Sequence, residues 1–265
     1  MDISIIIVNW NTGSLLYNCV KSIVEETKGL KYEIIIVDNN SKDNSCDNIE
    51  KDFNNVNIIY SKDNLGFSKG NNLGIEHAKG KFLLLLNPDT IILDNAIYKS
   101  YMKIKEYNDE KVLMGVRLLN GDKSLQLSSC KFFTVSNSIF SSYVFSNEDH
   151  YSTHDTDWVM GAYMLIDRDF YERIGKLNED YFMYSEDMEL CYKVKGSGGR
   201  VVFYSDAEII HLYNQSGKNK FNKKREKVVK QSSVKFIRDN YRGIQKYGVI
   251  TILELRYLLK KLIKR

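Results

Sequence analysis

The chain is poor in features that would set its class at a glance. Pro88 is the only proline in 265 residues, so a collagen-like chain is excluded, and 43% hydrophobic with 27% charged content excludes a disordered one. Four cysteines, at 19, 46, 130 and 191, form no Cys-x-x-Cys pair, which suggests neither a disulfide framework nor a zinc site. The longest fully aliphatic or aromatic run is Phe82–Leu86, far short of the roughly 20 residues that span a bilayer. The chain opens Met-Asp and its first apolar stretch stops at Asn9, so no secretory signal is expected and a cytoplasmic, reduced protein is. No period of about 20–50 residues repeats, which excludes solenoids. Two phosphate-binding signatures are missing as well: no G-x-G-x-x-G follows the first apolar run, and no G-x-x-x-x-G-K-[ST] loop occurs. Dinucleotide dehydrogenase and P-loop readings therefore lack support.

Charge is unevenly spread. From Lys218 to Arg265 the chain carries 16 Lys and Arg against 3 Asp and Glu, whereas the rest holds 22 against 31. A basic tail thus follows a mildly acidic body. Nucleic acid is a poor partner, because the body would repel phosphate and no helix-turn-helix spacing is present. In the tail, Val249, Ile252, Leu255, Leu259 and Leu262 follow helical spacing, with Arg256, Lys260, Lys261, Lys264 and Arg265 as polar complement. That pattern reads either as a basic amphipathic helix on the inner leaflet of a membrane or as a terminal helix packed on protein.

Length suits one large domain or two small ones. The first half alternates strand and helix signals: Ile3–Val8, Glu33–Val37, Val56–Tyr60 and Phe82–Leu86 are short apolar runs, as strands buried on both faces require. Between them, Leu15–Glu26 places apolar residues at 15, 16, 19, 20, 23 and 24, a helical stripe, and Cys46–Asp52 and Phe67–His77 follow their strands in the same way. This repetition predicts an α/β fold built on a mostly parallel sheet, with ligands at the carboxyl ends of the strands. Residues 123–156 lack periodicity and suggest a long excursion, whereas Trp158–Ile166 restores order. Helices are then expected near Arg168–Ile174 and Asp187–Lys195, and a strand pair near Val201–Tyr204 and Glu208–Leu212.

The ends of the predicted strands are chemically alike. The first runs into Asn9-Trp10-Asn11, the second into Asp38-Asn39-Asn40-Ser41, the third into Asn64-Leu65-Gly66-Phe67 and on to Asn71-Asn72, the fourth into Asn87-Pro88-Asp89. Each cluster alone is ordinary turn and cap chemistry, but together they line the rim where open α/β sheets bind nucleotides. A second constellation follows: Trp158 and Gly161, then the acids Glu186 and Asp187 opening a helix among Tyr181, Phe182 and Tyr184, then His211 after a strand. Carboxylates at a helix start interact favourably with its dipole. Aromatic neighbours that desolvate them raise their pKa, which suits a general base.

Taken as a set, Ser4–Asn11, Val37–Ser41, Asn64–Phe67, Asn72–Gly74, Leu86–Asp89, Gly161-Ala162, Glu186–Leu190 and His211 resemble glycosyltransferase family 2. These are inverting transferases of GT-A (Rossmann-like) fold, and the nearest likeness is to bacterial rhamnosyltransferase-like members. The resemblance implies a GT-A domain over residues 1–216, with a nucleotide-sugar half at about 1–120 and an acceptor and catalytic half at about 121–216. A basic helical extension, 217–265, would follow.

By the same resemblance Asp38 would hold the base of the nucleotide, with Asn9, Asn11 and Asn40 around it. Asn64, Gly66, Phe67, Asn71 and Asn72 would flank ribose and diphosphate. Asn87, Trp158 and Gly161 would complete the donor site. Asp187 would be the catalytic base, assisted by Glu186. Asp89 and His211 would bind the metal, Mn²⁺ or Mg²⁺. The motif departs from Asp-x-Asp in having Asn87 first, which removes one carboxylate ligand that a hard ion prefers.

The implied partners are a UDP-, dTDP- or GDP-linked sugar and a glycan or lipid-linked saccharide acceptor in surface polysaccharide synthesis. Two other readings compete. A nucleotidyltransferase would need a basic loop after the first strand, and Asn9–Ser14 has no Lys or Arg. A sugar-nucleotide-binding scaffold without activity is allowed by Asn87 but disfavoured by retention of Asp89, Asp187 and His211.

Overall fold

Alternation within each apolar run decides the layering. A computed structural model of the chain describes residues 1–53, 55–108, 111–140, 150–212 and 222–263. Strands β1 (Ile3–Asn9), β2 (Tyr32–Asp38), β3 (Val56–Tyr60) and β4 (Phe82–Leu86) form as expected, with helices α1 (Ser14–Glu26), α2 (Asp47–Asp52) and α3 (Gly66–Glu76) between them. Ile3, Ile5, Ile7, Ile34, Ile36, Leu84 and Leu86 enter one core, under α1. Ile6, Ile35, Leu83 and Leu85 enter the other. Successive residues of a strand point to opposite faces, so a sheet covered on both sides needs uninterrupted apolar strands.

α3 lies unusually close to the sheet because glycine faces it. A Cβ on Gly70 would sit 2.8 Å from a Val8 methyl, and one on Gly74 would sit 2.7 Å from an Ile6 methyl.

The remaining elements complete one mixed sheet. They are β5 (Thr90–Ile92), α4 (Ala96–Glu106), β6 (Val112–Leu119), β7 (Leu125–Gln126), β8 (Ser129–Cys130), α5 (Val135–Phe140), β9 (His154–Asp155), β10 (Trp158–Val159) and β11 (Tyr163–Asp167). Then come α6 (Arg168–Arg173), α7 (Glu186–Gly196), β12 (Arg200–His211), α8 (Asn222–Asn240) and α9 (Gly243–Ile263). The sheet runs β3-β2-β1-β4-β11-β6-β12-β5, with β7 on β6, β9 on β12, and β8 and β10 paired apart. β1 is parallel to β2 and β4, β2 to β3, and β6 to β12. β11 runs antiparallel between β4 and β6, and β5 runs antiparallel along β12. β4, β6 and β12 consequently point the same way, and their carboxyl ends share one rim with β1, β2 and β3.

Three expectations change. The strand pair near 201–212 is one continuous strand, β12, whose register slips between Tyr204 and Glu208. That bulge lets its last residues pair with β6 on one side and, as Ile209–His211, with Thr90–Ile92 of β5 on the other. The 123–156 excursion contains β7, β8, α5 and β9, although residues 141–149 lie outside the described residues. The inward residues of α9 are Val249 and Leu253, whereas Leu255 and Leu259, assigned to the same stripe, are exposed.

Phe236, Ile237 and Tyr241, from α8 and the turn after it, join Val249 and Leu253 in the same core as Ile6 and Ile35. The expected boundary at 216–217 and the charges at Lys264 and Arg265 lie outside the described residues, as do the side chains of Lys260, Lys261 and Leu262.

Candidate active site

The first cluster is a closed polar knot. Asn9 and Asp38 end β1 and β2 opposite one another in the register. Asn9 Nδ2 donates to Asp38 Oδ1 at 2.7 Å and to Ser45 Oγ at 2.8 Å. The Ser41 amide donates to Asp38 Oδ2 at 3.0 Å, and the Cys46 thiol approaches Oδ1 at 3.7 Å. Burial, reinforced by the Asp38 charge, pushes the Cys46 thiol up to about 12, so it stays a donor. Asp38 is thus held in one orientation.

Asn11 and Asn40, both at positive φ (53° and 60°), shape the two loops around this knot. Asn11 Oδ1 accepts the Lys42 amide at 2.6 Å, and Asn40 Nδ2 donates to the Lys62 carbonyl at 2.7 Å.

The second cluster joins α3 to the downstream acids. Asn64 Oδ1 caps the Gly66 amide at 2.9 Å, and the Phe67 amide donates to the Phe182 carbonyl at 2.9 Å. Asn72 Nδ2 donates to the Leu177 carbonyl and to Glu179, while its Oδ1 accepts from Tyr171 at 2.7 Å. Asn71 bonds back to the Phe67 carbonyl, and Trp158 donates from Nε1 to the Lys131 carbonyl. In this structure the carboxamides of Asn71 and Asn72 and the indole of Trp158 are therefore engaged in holding segments together. Gly66, Phe67 and Asn64 stand at the rim itself.

The acids arrive at the same place. The Asn87 amide donates to the Ala162 carbonyl at 3.1 Å, and the neighbouring Gly161 amide donates to Asp187 Oδ2 at 2.9 Å. Asp187 Oδ1 also accepts the Met188 amide at 2.8 Å. A single peptide unit thus separates the metal-motif strand from the proposed base. A Cβ on Gly161 would lie 3.2 Å from Asp187 Cβ, so only glycine leaves the carboxylate undisturbed.

Asp187 is half-buried and Glu186 is buried. Burial raises the pKa of Asp187, partly opposed by hydrogen bonds from the backbone amides of Gly161, Met188 and Asp187 itself. Glu186 is raised well above the ordinary range by burial and then by the Asp187 charge, and among the described residues its Oε2 has no hydrogen-bond partner. Before these acids the chain passes through Tyr184 and Ser185 at φ 71° and 68°. Such left-handed residues cost about 1–2 kcal/mol each and collect at functional sites.

The third cluster holds the expected metal ligands. His211 ends β12 opposite Thr90, and the Leu212 amide donates to the Asp89 carbonyl at 2.8 Å. Gln126 Nε2 donates to Asn120 Oδ1, which turns its Oε1 toward His211 Nδ1 at 2.7 Å. That oxygen can only accept, so a proton sits on Nδ1, and in the neutral ring the lone pair is then on Nε2. Nε2 lies 3.4 Å from Asp89 Oδ1 and 3.4 Å from Asn87 Nδ2.

Two electron-rich atoms facing one another at this distance suit a shared cation, since ligands about 2.1 Å from one ion stand about 3.0–3.5 Å apart. Among the described residues no group of three His, Cys, Asp or Glu side chains could hold a metal ion. Any ion here would need ligands from substrate or water.

Sequence reasoning missed Gln126, Ser45, Cys46 and the Phe182 carbonyl. Ser45 and Cys46 follow the 37–41 motif closely enough to have been candidates. Gln126 sits in an aperiodic stretch, 85 positions from His211, and carries no local signal.

A parallel-dominated sheet flanked by helices, with two acids and a histidine folded onto the rim that bears Asp38 and Asp89, defines a GT-A-fold glycosyltransferase. The chain belongs to glycosyl transferase family 2, whose model matches residues 4–175. It is 26% identical to glycosyltransferase GlyG of Streptococcus pneumoniae over 80% of this chain and 70% of that protein. It is 30% identical to the low-salt glycan biosynthesis hexosyltransferase Agl10 of Haloferax volcanii over 73% of this chain and 62% of that protein. Rhamnosyltransferase WbbL of Escherichia coli matches at 27% over 60% of this chain and 65% of its own length. The chain thus spans roughly two thirds of these relatives. Among solved structures, S. aureus TarS 1–349 in complex with UDP aligns with a TM-score of 0.61 at 16% identity, over 96% of this chain and 70% of that one. GalNAc-T7 with UDP, GalNAc and Mn²⁺ aligns with a TM-score of 0.70 at 18% identity, over 90% of this chain and 48% of that one.

Proposed function

We propose that the protein moves a sugar from a nucleotide-diphosphate donor to a hydroxyl of a glycan or lipid-linked acceptor, inverting the anomeric carbon. The observation that carries this reading is the placement of Asp187: a half-buried carboxylate of raised pKa, fixed by the Gly161 amide one peptide from the Asn87–Asp89 rim. Asp38 and Asn9 hold the base of the donor, Asn11 and Asn40 shape the loops that enclose it, and Asn64, Gly66 and Phe67 border the ribose and diphosphate. Asn71, Asn72 and Trp158 brace that pocket from behind.

Asp187 removes the proton of the acceptor hydroxyl as its oxygen bonds to the anomeric carbon and the carbon–oxygen bond to the diphosphate breaks. A positioned base of this kind contributes about 10²–10⁴-fold. Buried Glu186, next to it in the chain, assists the base by orienting it or by touching the acceptor. Asp89 and the Nε2 of His211, with Asn87 beside them, would hold Mn²⁺ or Mg²⁺, which when bound neutralises charge on the departing diphosphate. The names of the relatives, a hexosyltransferase of glycan biosynthesis and a rhamnosyltransferase, support a role in glycan synthesis; the saccharide acceptor, the surface polysaccharide and the cytoplasmic side are part of this proposal.

A donor screen tests this reading: nucleotide released from UDP-, dTDP- and GDP-sugars, with and without Mn²⁺, by the native chain and by Asp187→Asn. The native chain should turn over one donor class, and the variant should lose about 10²-fold or more while still binding nucleotide. Tight nucleotide binding by the native chain without turnover of any donor would make the protein a scaffold instead.

A further inference from the structure

α9 is apolar on two sides. Val249 and Leu253 face the core, while the opposite side meets solvent with Ile244 88% exposed, Tyr247 69%, Leu255 54%, Leu258 53% and Leu259 56%. Ile244 and Tyr247 lie on the same side of the helix as Leu255, Leu258 and Leu259, with exposed Thr251 between the two groups, over about 22 Å at the rise of an α-helix. α5 widens it. A Cβ on Gly248 would come within 3.0 Å of a Val135 methyl, and Arg256 donates to the carbonyls of Ser138 and Ile139. Ile139 is itself 55% exposed. Exposed large apolar side chains gathered on one side of a helix mark an interaction surface.

We propose that this face docks on an anionic lipid bilayer, with α9 lying along the headgroup layer. Charge selects the occupant. The segment 218–265 carries 16 basic against 3 acidic residues, so a second copy seated on the same stripe would bring two strongly basic segments together. Anionic headgroups neutralise them, at about 1 kcal/mol per basic residue near the surface. Exposed Arg238 and Arg242 stand just before the stripe. No helix among the described residues is long and apolar enough to cross a membrane, so the helix lies on the surface and does not span it.

The docking face is fastened to the acid-bearing segment. Lys230 of α8 pairs with Glu254 of α9, and Ser232 of α8 donates to the Met183 carbonyl at 3.0 Å. Docking through α9 would hold that segment near the bilayer.

The inference stands apart from the transferase reading, because its readout needs neither donor nor acceptor. The full chain is co-sedimented with vesicles of phosphatidylglycerol and phosphatidylcholine, and with phosphatidylcholine alone, beside the double variant Leu255→Glu, Leu258→Glu. Both leucines are exposed, so the variant should unfold at the native temperature. The native chain should partition onto the anionic vesicles and less so as salt rises. The variant should lose roughly tenfold or more of that partitioning, given the apolar area two leucines bury. Failure of the native chain to bind anionic vesicles overturns the proposal, and so does equal binding by the variant. A native dimer that the variant converts to monomer, with no vesicle binding, would assign the face to a second copy and overturn it as well.

Discussion

Gly66 and Phe182 interlock across the rim: a Cβ on Gly66 would stand 2.5 Å from the Phe182 carbonyl oxygen, the atom that accepts the Phe67 amide at 2.9 Å. Gly66 is also at φ +77°, where side-chain-bearing residues are strained. This contact ties the start of α3 to the chain leading to Glu186 and Asp187.

Substituting Gly66→Ala should break that contact and impose the left-handed strain together. A loss of about 2–4 kcal/mol in stability is expected, read as a lower urea midpoint, with weaker nucleotide binding in calorimetry. A native-like midpoint would show that the two segments are not so coupled.

The raised pKa values of Asp187 and Glu186 have a defined sign. Asp187 must be ionised to act as base, so kcat/KM should fall as pH drops through its raised value, above the usual aspartate range near about 4. For stability the direction reverses. A carboxyl with a raised folded pKa contributes fully below its unfolded value, and that contribution is lost as pH rises through the folded one. Glu186→Gln should accordingly be more stable than the native chain at neutral and alkaline pH, with the gap closing in acid. Denaturant titrations across pH check this.

Asp89→Ala should abolish the part of nucleotide affinity that depends on Mn²⁺, with chelation by EDTA mimicking it in the native chain. Gln126→Leu, which removes the acceptor that holds the His211 proton on Nδ1, should raise the Mn²⁺ midpoint by about tenfold or more. It should leave metal-free nucleotide binding unchanged. An unaltered Mn²⁺ titration in both variants would take this pair out of the metal shell.

Much of the candidate site was legible because chemistry and chain order coincide at strand ends. Asn9, Asp38, Asn64 and Asp89 each stand at or just beyond an apolar strand, and the turn from buried to polar marks the rim. The same local logic was blind to β11, whose apolar run looks like any other strand although it enters antiparallel between β4 and β6. It was equally blind to β12, where a bulge keeps Val201–Tyr204 and Glu208–His211 in one strand.

The amino-acid order alone indicated β1 to β4 and the helices between them, the later α6 and α7, which strand ends are polar, and where the basic charge lies, since these follow from short-range periodicity and composition; it gave no sign of β5, α4 or β6. Only the folded chain decided partners: that Gly161 would hold Asp187, that Gln126 would orient His211, and that α9 would turn Val249 inward and Leu255 outward. Each of these joins residues remote in sequence or chooses between two apolar faces of one helix. No local pattern encodes such choices, because their energy comes from surfaces that meet only after the sheet has closed its order.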